Sequence, residues 1–502
     1  MTERYRKWFW LALAILASRL VTMAIVPLAD TTEPRYAEIA RLMVATGDWI
    51  TPWFEPGVPF WGKPPLSFWA QALSMQWLGV NEWAARLPSW IAIALTAFLV
   101  ARLAFRLWGK EAGTFAALIF ASMSLSFISA GAVMTDPFLL LGTTLSLAGF
   151  ATVMFTDARG GAARWLFFVG LVIGLLAKGP LALVLVGLPI GIWTVWGNHW
   201  RAVWRALPWW RGTLLTLVLA LPWYIAAEIK TPGFLDYFIV GEHFRRFLDP
   251  GWQGDLYGNG HSEPHGKIWL MWLWASFPWG LVLLGTGFLA RGRKTLRTEL
   301  YDSSCGRFLL LSAIAPMLFF TLSGNILWTY VLPGLPFVAL MLARVLLKMG
   351  EGASEQRSGM RWSGAMAAVV PVLALGAGVY AMINTDAIKT EKPLVAQYRL
   401  ERTSPHSPLV YWGEVPFSAR FYLREQVATV DEQEIQALMS HGTPFFLGIR
   451  PNHLDEVKPW LGEAKVTLRY KGNRHALLEV DPKSGGEAVA IKEKAVEGDG
   501  SS

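Results

Sequence analysis

Charge is what this chain has least of. Only 16% of its 502 residues are Asp, Glu, Lys or Arg, where soluble globular chains carry about 25%. With 53% hydrophobic residues and a mean hydropathy of +0.36, an ordinary water-soluble enzyme is excluded. Cysteine is nearly absent: Cys305 stands alone, which rules out a disulfide-stapled secreted scaffold. No phosphate-binding glycine loop or dinucleotide fingerprint occurs, and this argues against a nucleotide donor. Nor is there an internal repeat of the kind that builds inverted-repeat transporters.

What the chain has is apolar blocks. A bilayer core needs about 20 apolar residues per helix. Segments near 9–28, 87–105, 112–132, 136–155, 164–178, 180–197, 212–230, 267–290, 306–323, 326–347 and 362–383 read as spans. The expected fold is a polytopic α-helical membrane protein of about 11–13 transmembrane helices. The net charge of +8 follows this topology. With the N-terminus inside, Arg4, Arg6, Lys7, Arg102, Arg106, Lys110, Arg291, Arg293 and Lys294 fall on the cytoplasmic side, while the short outer hairpins hold almost no basic residues. That asymmetry orients the chain and removes nucleic acid as a partner. The first span has no small-residue cleavage site and is expected to be an anchor.

Outside the membrane lie two long loops, 29–86 and 231–266, and the C-terminus from 384. Loops of this length are functional or unstructured. In the first, Pro34 opens a helical pattern and Pro64-Pro65 opens another over 66–78; both read as amphipathic surface helices. Further on, 409–412, 445–449, 466–470 and 476–480 read as strands, with helices over 432–440 and 454–461. The expected domains are a transmembrane catalytic part (1–383), a small periplasmic α/β domain (384–481) and a disordered tail (482–502).

Ionisable residues gather at the outer ends of the spans: Asp30 and Glu33, Asp136, Lys178 and Tyr330. Lys63, Glu242, His243, Arg245 and Arg246 belong to the outer loops. Charges near membrane depth are costly and tend to mark functional sites. Carboxylates beside a group of cations suit a reaction in which a nucleophile is deprotonated while an anionic group departs. A lipid phosphate presented from within the bilayer meets those constraints. His243, His261 and His265 with Glu242, Glu263 and Asp249 match no tight metal-ligand spacing, and His243 and Glu242 are the pair left open for a divalent ion. The 27 Trp and 28 Phe suit interface belts or a lipid or sugar cleft.

These residues resemble a known group. The run Thr32-Glu33-Pro34-Arg35-Tyr36-Ala37-Glu38, then Gly47-Asp48-Trp49, Lys63-Pro64-Pro65 and Ala84-Ala85-Arg86-Leu87-Pro88, is similar to the first outer loop of the aminoarabinose-transferase and protein-mannosyltransferase-like glycosyltransferases of the GT-C superfamily. The likeness continues through Asp136-Pro137-Phe138, Lys178-Gly179, Glu242-His243, Arg246-Phe247, Phe277-Pro278-Trp279 and Thr329-Tyr330. It implies an inner-membrane enzyme that takes a sugar from a polyprenyl phosphate carrier at the periplasmic face. An acidic residue of the first loop is then the catalytic carboxylate, and Asp136 matches the second acidic residue. Lys63 contacts the lipid phosphate, with Arg246, Arg245, Tyr330 and Lys178 beside it, while Arg35, Tyr36 and His243 bind substrate. Two positions depart from the pattern. Thr32 stands where the family has Asp, which leaves Glu33 and Asp30 as alternatives. Gly62 replaces a Glu associated with metal.

The expected function is inverting glycosyl transfer from undecaprenyl phosphate to lipid A, another glycan or a protein, within a membrane-lipid environment. A transporter or flippase that binds the same lipid without chemistry predicts broken spans at mid-membrane depth, and here the charges sit at the outer edge.

Overall fold

The computed structural model describes residues 3–157, 161–249, 252–258, 261–351, 356–384, 387–402, 404, 407–425 and 427–485. Contacts divide the chain into two units: Met1–Val26 with Ile39–Tyr380, and Pro27–Glu38 with Ala381–Ser502.

The first unit is almost wholly helical. A helix satisfies its own backbone polar groups, the condition for crossing lipid. Among the described residues six helices are long and apolar enough to do so: Tyr5–Ile25, Glu82–Trp108, Asp136–Phe155, Trp209–Lys230, Trp328–Gly350 and Trp362–Ile383. Two bent pairs, Ile268–Ser276 with Trp279–Phe288 (106°) and Ala290–Asp302 with Ser304–Phe320 (94°), raise the number to eight if each is one span. The protein is a multi-pass membrane protein, but with fewer full-length spans than the about 11–13 expected from hydropathy. The shortfall has a local cause. The segment 112–132 breaks into Lys110–Ser122 and Ser124–Ser129 because Met123 is extended (φ −66°, ψ 140°). The segments 164–178 and 180–197 form helices of only 17 residues, Ala162–Lys178 and Leu181–Gly197.

One helix pair positions the site. Asp136–Phe155 and Ala162–Lys178 meet through glycines: a Cβ on Gly142 would lie 2.6 Å from the Gly174 nitrogen, and one on Gly170 2.5 Å from the Gly142 oxygen. Small residues let helix backbones approach closely in a membrane. The pair is antiparallel, since Gly142 meets Gly174 while Gly149 meets Ala163. The start of one helix, Asp136, therefore sits beside the end of the other, Lys178. A two-strand hairpin, β1 (Trp53–Glu55) and β2 (Val58–Pro59), interrupts the first outer loop.

The second unit carries a mixed five-stranded sheet in the order β4-β3-β5-β7-β6. Its strands are β3 (Leu409–Trp412), β4 (Ala428–Val430), β5 (Phe445–Ile449), β6 (Ala464–Lys471) and β7 (Ala476–Gly485). β3 is parallel to β4 and β5, and β7 is antiparallel to β5 and β6. Side chains alternate along β5 as the pleat requires. Phe445, Leu447 and Ile449 pack with Ile435, Leu454 and Val457 of the helices Glu432–His441 and Leu454–Leu461. Phe446 turns the other way, toward Leu394, Tyr398 and Ala419 of the helices Lys392–Glu401 and Phe417–Leu423. Asp431 and Glu434 form a reciprocal capping box on the first of these four helices.

Three features of this unit depart from the expected boundaries. The segment Pro27–Glu38 belongs to it although it is remote in sequence. β4 and the two helices on the Phe446 face were not anticipated; β4 spans only 3 residues, too few for a period to register. β7 runs to Gly485, past the 482 boundary set for a disordered tail, and residues 486–502 of that tail lie outside the described residues.

Candidate active site

The outer loop after Lys230 folds as a π-helix, Asp236–Arg245, continuing into the short helix Arg246–Leu248. Glu242, His243 and Arg246 share its inner side. Arg245 is exposed and is not among the residues lining the cavity described below. Its expected role at the phosphate is therefore not supported by geometry.

Glu242 is the hub, with its side chain 7% exposed. Lys63 Nζ lies 3.1 Å from its Oε2, Arg246 Nη1 donates to Oε1 at 3.0 Å, and the Tyr237 hydroxyl donates to Oε1 at 3.4 Å. Arg246 also pairs with Asp255 at 3.1 Å, whose side chain is 8% exposed. Beside them the glycine-packed helices bring Lys178 Nζ to 2.8 Å from Asp136. The Lys178 ammonium stands 5.2 Å from the centre of the Tyr330 ring, and Tyr330 stacks on Phe320 at 4.5 Å. Gly179 (φ +69°) makes the turn after Lys178, and a Cβ there would lie 2.7 Å from the Phe238 ring. Only glycine meets both demands.

Burial pushes the Glu242 carboxyl up, but Lys63 and Arg246 outweigh it and hold the group below its usual range. Burial alone would weaken the Arg246 charge, yet Glu242, Tyr330 and Asp255 raise its pKa further. Burial lowers the His243 imidazole against hydrogen bonds that favour its charged form. Burial also pushes the Tyr257 phenol up to about 12.

His243 Nδ1 lies 2.7 Å from the Phe238 carbonyl oxygen and Nε2 3.1 Å from that of Lys178. Both ring nitrogens thus face main-chain acceptors, and Glu242 is held by two cations. This pair does not fit a divalent ion, which requires lone pairs turned to one point. Among the described residues no three His, Cys, Asp or Glu converge. Glu263 pairs with Lys267 instead, and His265 Nδ1 lies 3.3 Å from the Thr321 carbonyl oxygen.

These side chains form the head of a cavity of about 400 Å³. Lys63, Lys178, Glu242, His243, Arg246, Asn325 and Tyr330 supply its polar lining, and Leu181, Val184, Phe244, Phe247, Leu248 and Phe319 its apolar walls. Each of its cations already has a carboxylate partner, so an incoming anion must share or displace one. One donor stands ready: Arg246 Nε is buried without a hydrogen-bond partner.

The other expected site residues belong to the second unit. Asp30 is fully engaged there. Its Oδ1 accepts from the Ser418 amide at 2.9 Å, and its Oδ2 from the Ser418 hydroxyl and from Arg474, both at 2.6 Å. Its own amide donates to the Lys389 carbonyl at 2.7 Å. Glu33 lies in the first turn of the helix Thr32–Thr46 and accepts from the Ala29 amide at 3.5 Å. Arg35 stands over the rings of Tyr36 (5.2 Å) and Phe417 (5.8 Å). Sequence reasoning missed Asp255, Asn325, Tyr237 and Arg474. Asn325 had a faint signal in the Ser-Gly-Asn turn ahead of Tyr330; the others had none.

A multi-pass helical fold with a cation-lined, apolar-walled cavity and a small α/β unit defines a class of membrane glycosyltransferase. The family model for dolichyl-phosphate-mannose-protein mannosyltransferase matches residues 8–238. An undecaprenyl phosphate-alpha-4-amino-4-deoxy-L-arabinose arabinosyl transferase of Pseudomonas savastanoi pv. phaseolicola is 30% identical over 399 residues, 78% of this chain and 70% of that one. Its namesake in Pseudomonas aeruginosa is 29% identical over 404 residues, 78% of this chain and 68% of that one. The crystal structure of ArnT from Cupriavidus metallidurans bound to undecaprenyl phosphate superposes with a TM-score of 0.75. That match covers 94% of this chain and 98% of the other at 18% identity, a likeness of fold. The chain belongs to the aminoarabinose-transferase family of GT-C membrane glycosyltransferases.

Proposed function

We propose that this protein moves a sugar from undecaprenyl phosphate to an acceptor at the periplasmic face of the bacterial inner membrane. The donor class follows the names of its relatives, whose sugar is 4-amino-4-deoxy-L-arabinose. The observation that carries the reading is the cavity: Lys63, Arg246 and Lys178 at its head and aliphatic and aromatic walls behind them suit a phosphate on an isoprenoid chain. The periplasmic placement rests on the basic residues assigned to the cytoplasmic loops. Lipid A, with another glycan or a protein as alternatives, is the acceptor.

In this reading the acceptor oxygen attacks the anomeric carbon as its bond to the phosphate oxygen breaks, with inversion. Charge develops on the departing phosphate, and Lys63 and Arg246 stabilise it. Tyr330 borders the same cavity. Asp136 keeps Lys178 in place through their ion pair. An acceptor hydroxyl gives up its proton to a carboxylate base, whereas an anionic phosphate acceptor has none to give and needs only orientation. Asp30, bound on both oxygens by Ser418 and Arg474, is an anchor in this scheme. A lipid carrier without transfer chemistry is disfavoured by the family.

The test is release of free undecaprenyl phosphate from an undecaprenyl phosphate-sugar by protein in nanodiscs with membrane extract, followed by mass spectrometry. Release is expected from the wild type and lost in Lys63→Ala. Tight donor binding with no release would overturn the transferase reading.

A further inference from the structure

Asn325 lines the cavity yet makes only half the hydrogen bonds its amide allows. Its Nδ2 donates to the carbonyl oxygens of Arg246 at 2.6 Å and Asp249 at 3.0 Å. Two carbonyl acceptors on one atom can be met only by the NH₂ end, so the amide orientation is set. The opposite end, Oδ1, is buried and has no partner, although the residue is only 6% exposed. Buried polar atoms without partners are rare and call for an explanation.

The surrounding backbone is rigid. Asn325 forms a β-bridge with Ser262, the Ile326 amide donates to the His261 carbonyl at 3.2 Å, and the Glu263 amide to that of Gly324 at 3.0 Å. The Ser323 hydroxyl closes the turn, accepting from the Asn325 amide at 3.2 Å. Oδ1 is therefore held at a fixed place and can only accept. A phosphate in this cavity is itself an acceptor and cannot satisfy it. On a lipid-phosphate sugar, the hydrogen-bond donors are the hydroxyl and amino groups of the sugar. The buried Arg246 Nε shows the converse: a donor, matched to phosphate oxygen.

We propose that Asn325 is a specificity-determining residue for the transferred sugar, its Oδ1 accepting a hydrogen bond from a hydroxyl or amino group of that sugar. This rests on the lipid-phosphate reading above. A site built around a buried acceptor rejects analogues that lack the donor, because the acceptor is then left unpaired.

The experiment uses the full chain in nanodiscs and two ligands: undecaprenyl phosphate alone and the undecaprenyl phosphate-sugar. Asn325→Ala is expected to weaken binding of the bare lipid phosphate, because the amide ties the Arg246 and Asp249 carbonyls, and to lose at least about tenfold more in kcat/KM for the sugar donor. Equal losses for both ligands would make Asn325 a loop tie only, and no loss on the sugar donor would remove its role; either outcome overturns the proposal. A measurement on the wild type stands apart from any folding defect. Among donors each lacking one hydroxyl or amino group, one deletion is expected to cost at least about tenfold, and a flat series overturns the proposal. Failure of the wild type to bind bare undecaprenyl phosphate would instead overturn the underlying reading.

Discussion

In the helical unit Glu242 holds Lys63 and Arg246, and in the second unit Asp30 holds Arg474 while Glu391 holds His475. Both groups combine buried carboxylates with long cations. They differ in what remains unmade. Asp30 spends both oxygens on fixed donors of its own unit. Glu391 is likewise closed, with His475 Nδ1 at 2.8 Å and the Tyr411 hydroxyl at 3.3 Å. The Glu242 group borders a cavity of about 400 Å³ and leaves Arg246 Nε without a partner. A saturated cluster holds a fold together, whereas one with open valences beside a cavity holds a ligand.

The comparison breaks if the two groups respond alike to loss of their arginines. Arg246→Ala is expected to lower kcat/KM by about a thousandfold, read as undecaprenyl phosphate release from protein that remains folded, although loss of the partner of Asp255 also costs stability. Arg474→Ala is expected to act on stability, costing about 1 to 2 kcal/mol by taking one of three donors from the Asp30 carboxylate, as read from thermal inactivation in nanodiscs. A smaller effect sharpens it. Asp255→Asn leaves Arg246 one carboxylate to share with an incoming phosphate, and a decrease in KM of about threefold is expected with kcat nearly constant. A loss confined to kcat would assign Asp255 a different part.

The smallest effect concerns pH. Burial keeps the His243 imidazole below its ordinary 6.5, so folding favours the neutral ring. The stability this supplies is full above pH 6.5 and is lost as pH falls through the lowered value. Glu242, held below 4.5, contributes fully above that pH and loses its contribution as pH falls through its own lowered value. Histidine ¹⁵N shifts are expected to show a neutral His243 ring at pH 7, and a charged ring there would contradict this direction.

Much of the candidate site was legible because the motifs that carry it are short. Lys63-Pro64-Pro65, Asp136-Pro137 and Lys178-Gly179 each combine a charge with a residue that dictates a turn or helix start. Asp255 was invisible: an Asp in a glycine-rich loop has no pattern to betray that it faces Arg246. Arg245 and Arg246 could not be separated by composition, since only helical geometry decides which faces inward. Hydropathy gave no sign of the break at Met123, because it measures apolar length and not where a backbone turns.

The sequence by itself determined most of the helices and the membrane setting, since hydropathy is a local property that any window of residues expresses. Tertiary structure alone decided which carboxylate meets which cation. Asp30 finds Ser418 and Arg474 across 388 and 444 residues, and Glu242 finds Lys63 across 179. Ionic and hydrogen-bonded pairing depends on distances of a few ångströms, and no spacing along the chain encodes those until the helices and the sheet have packed.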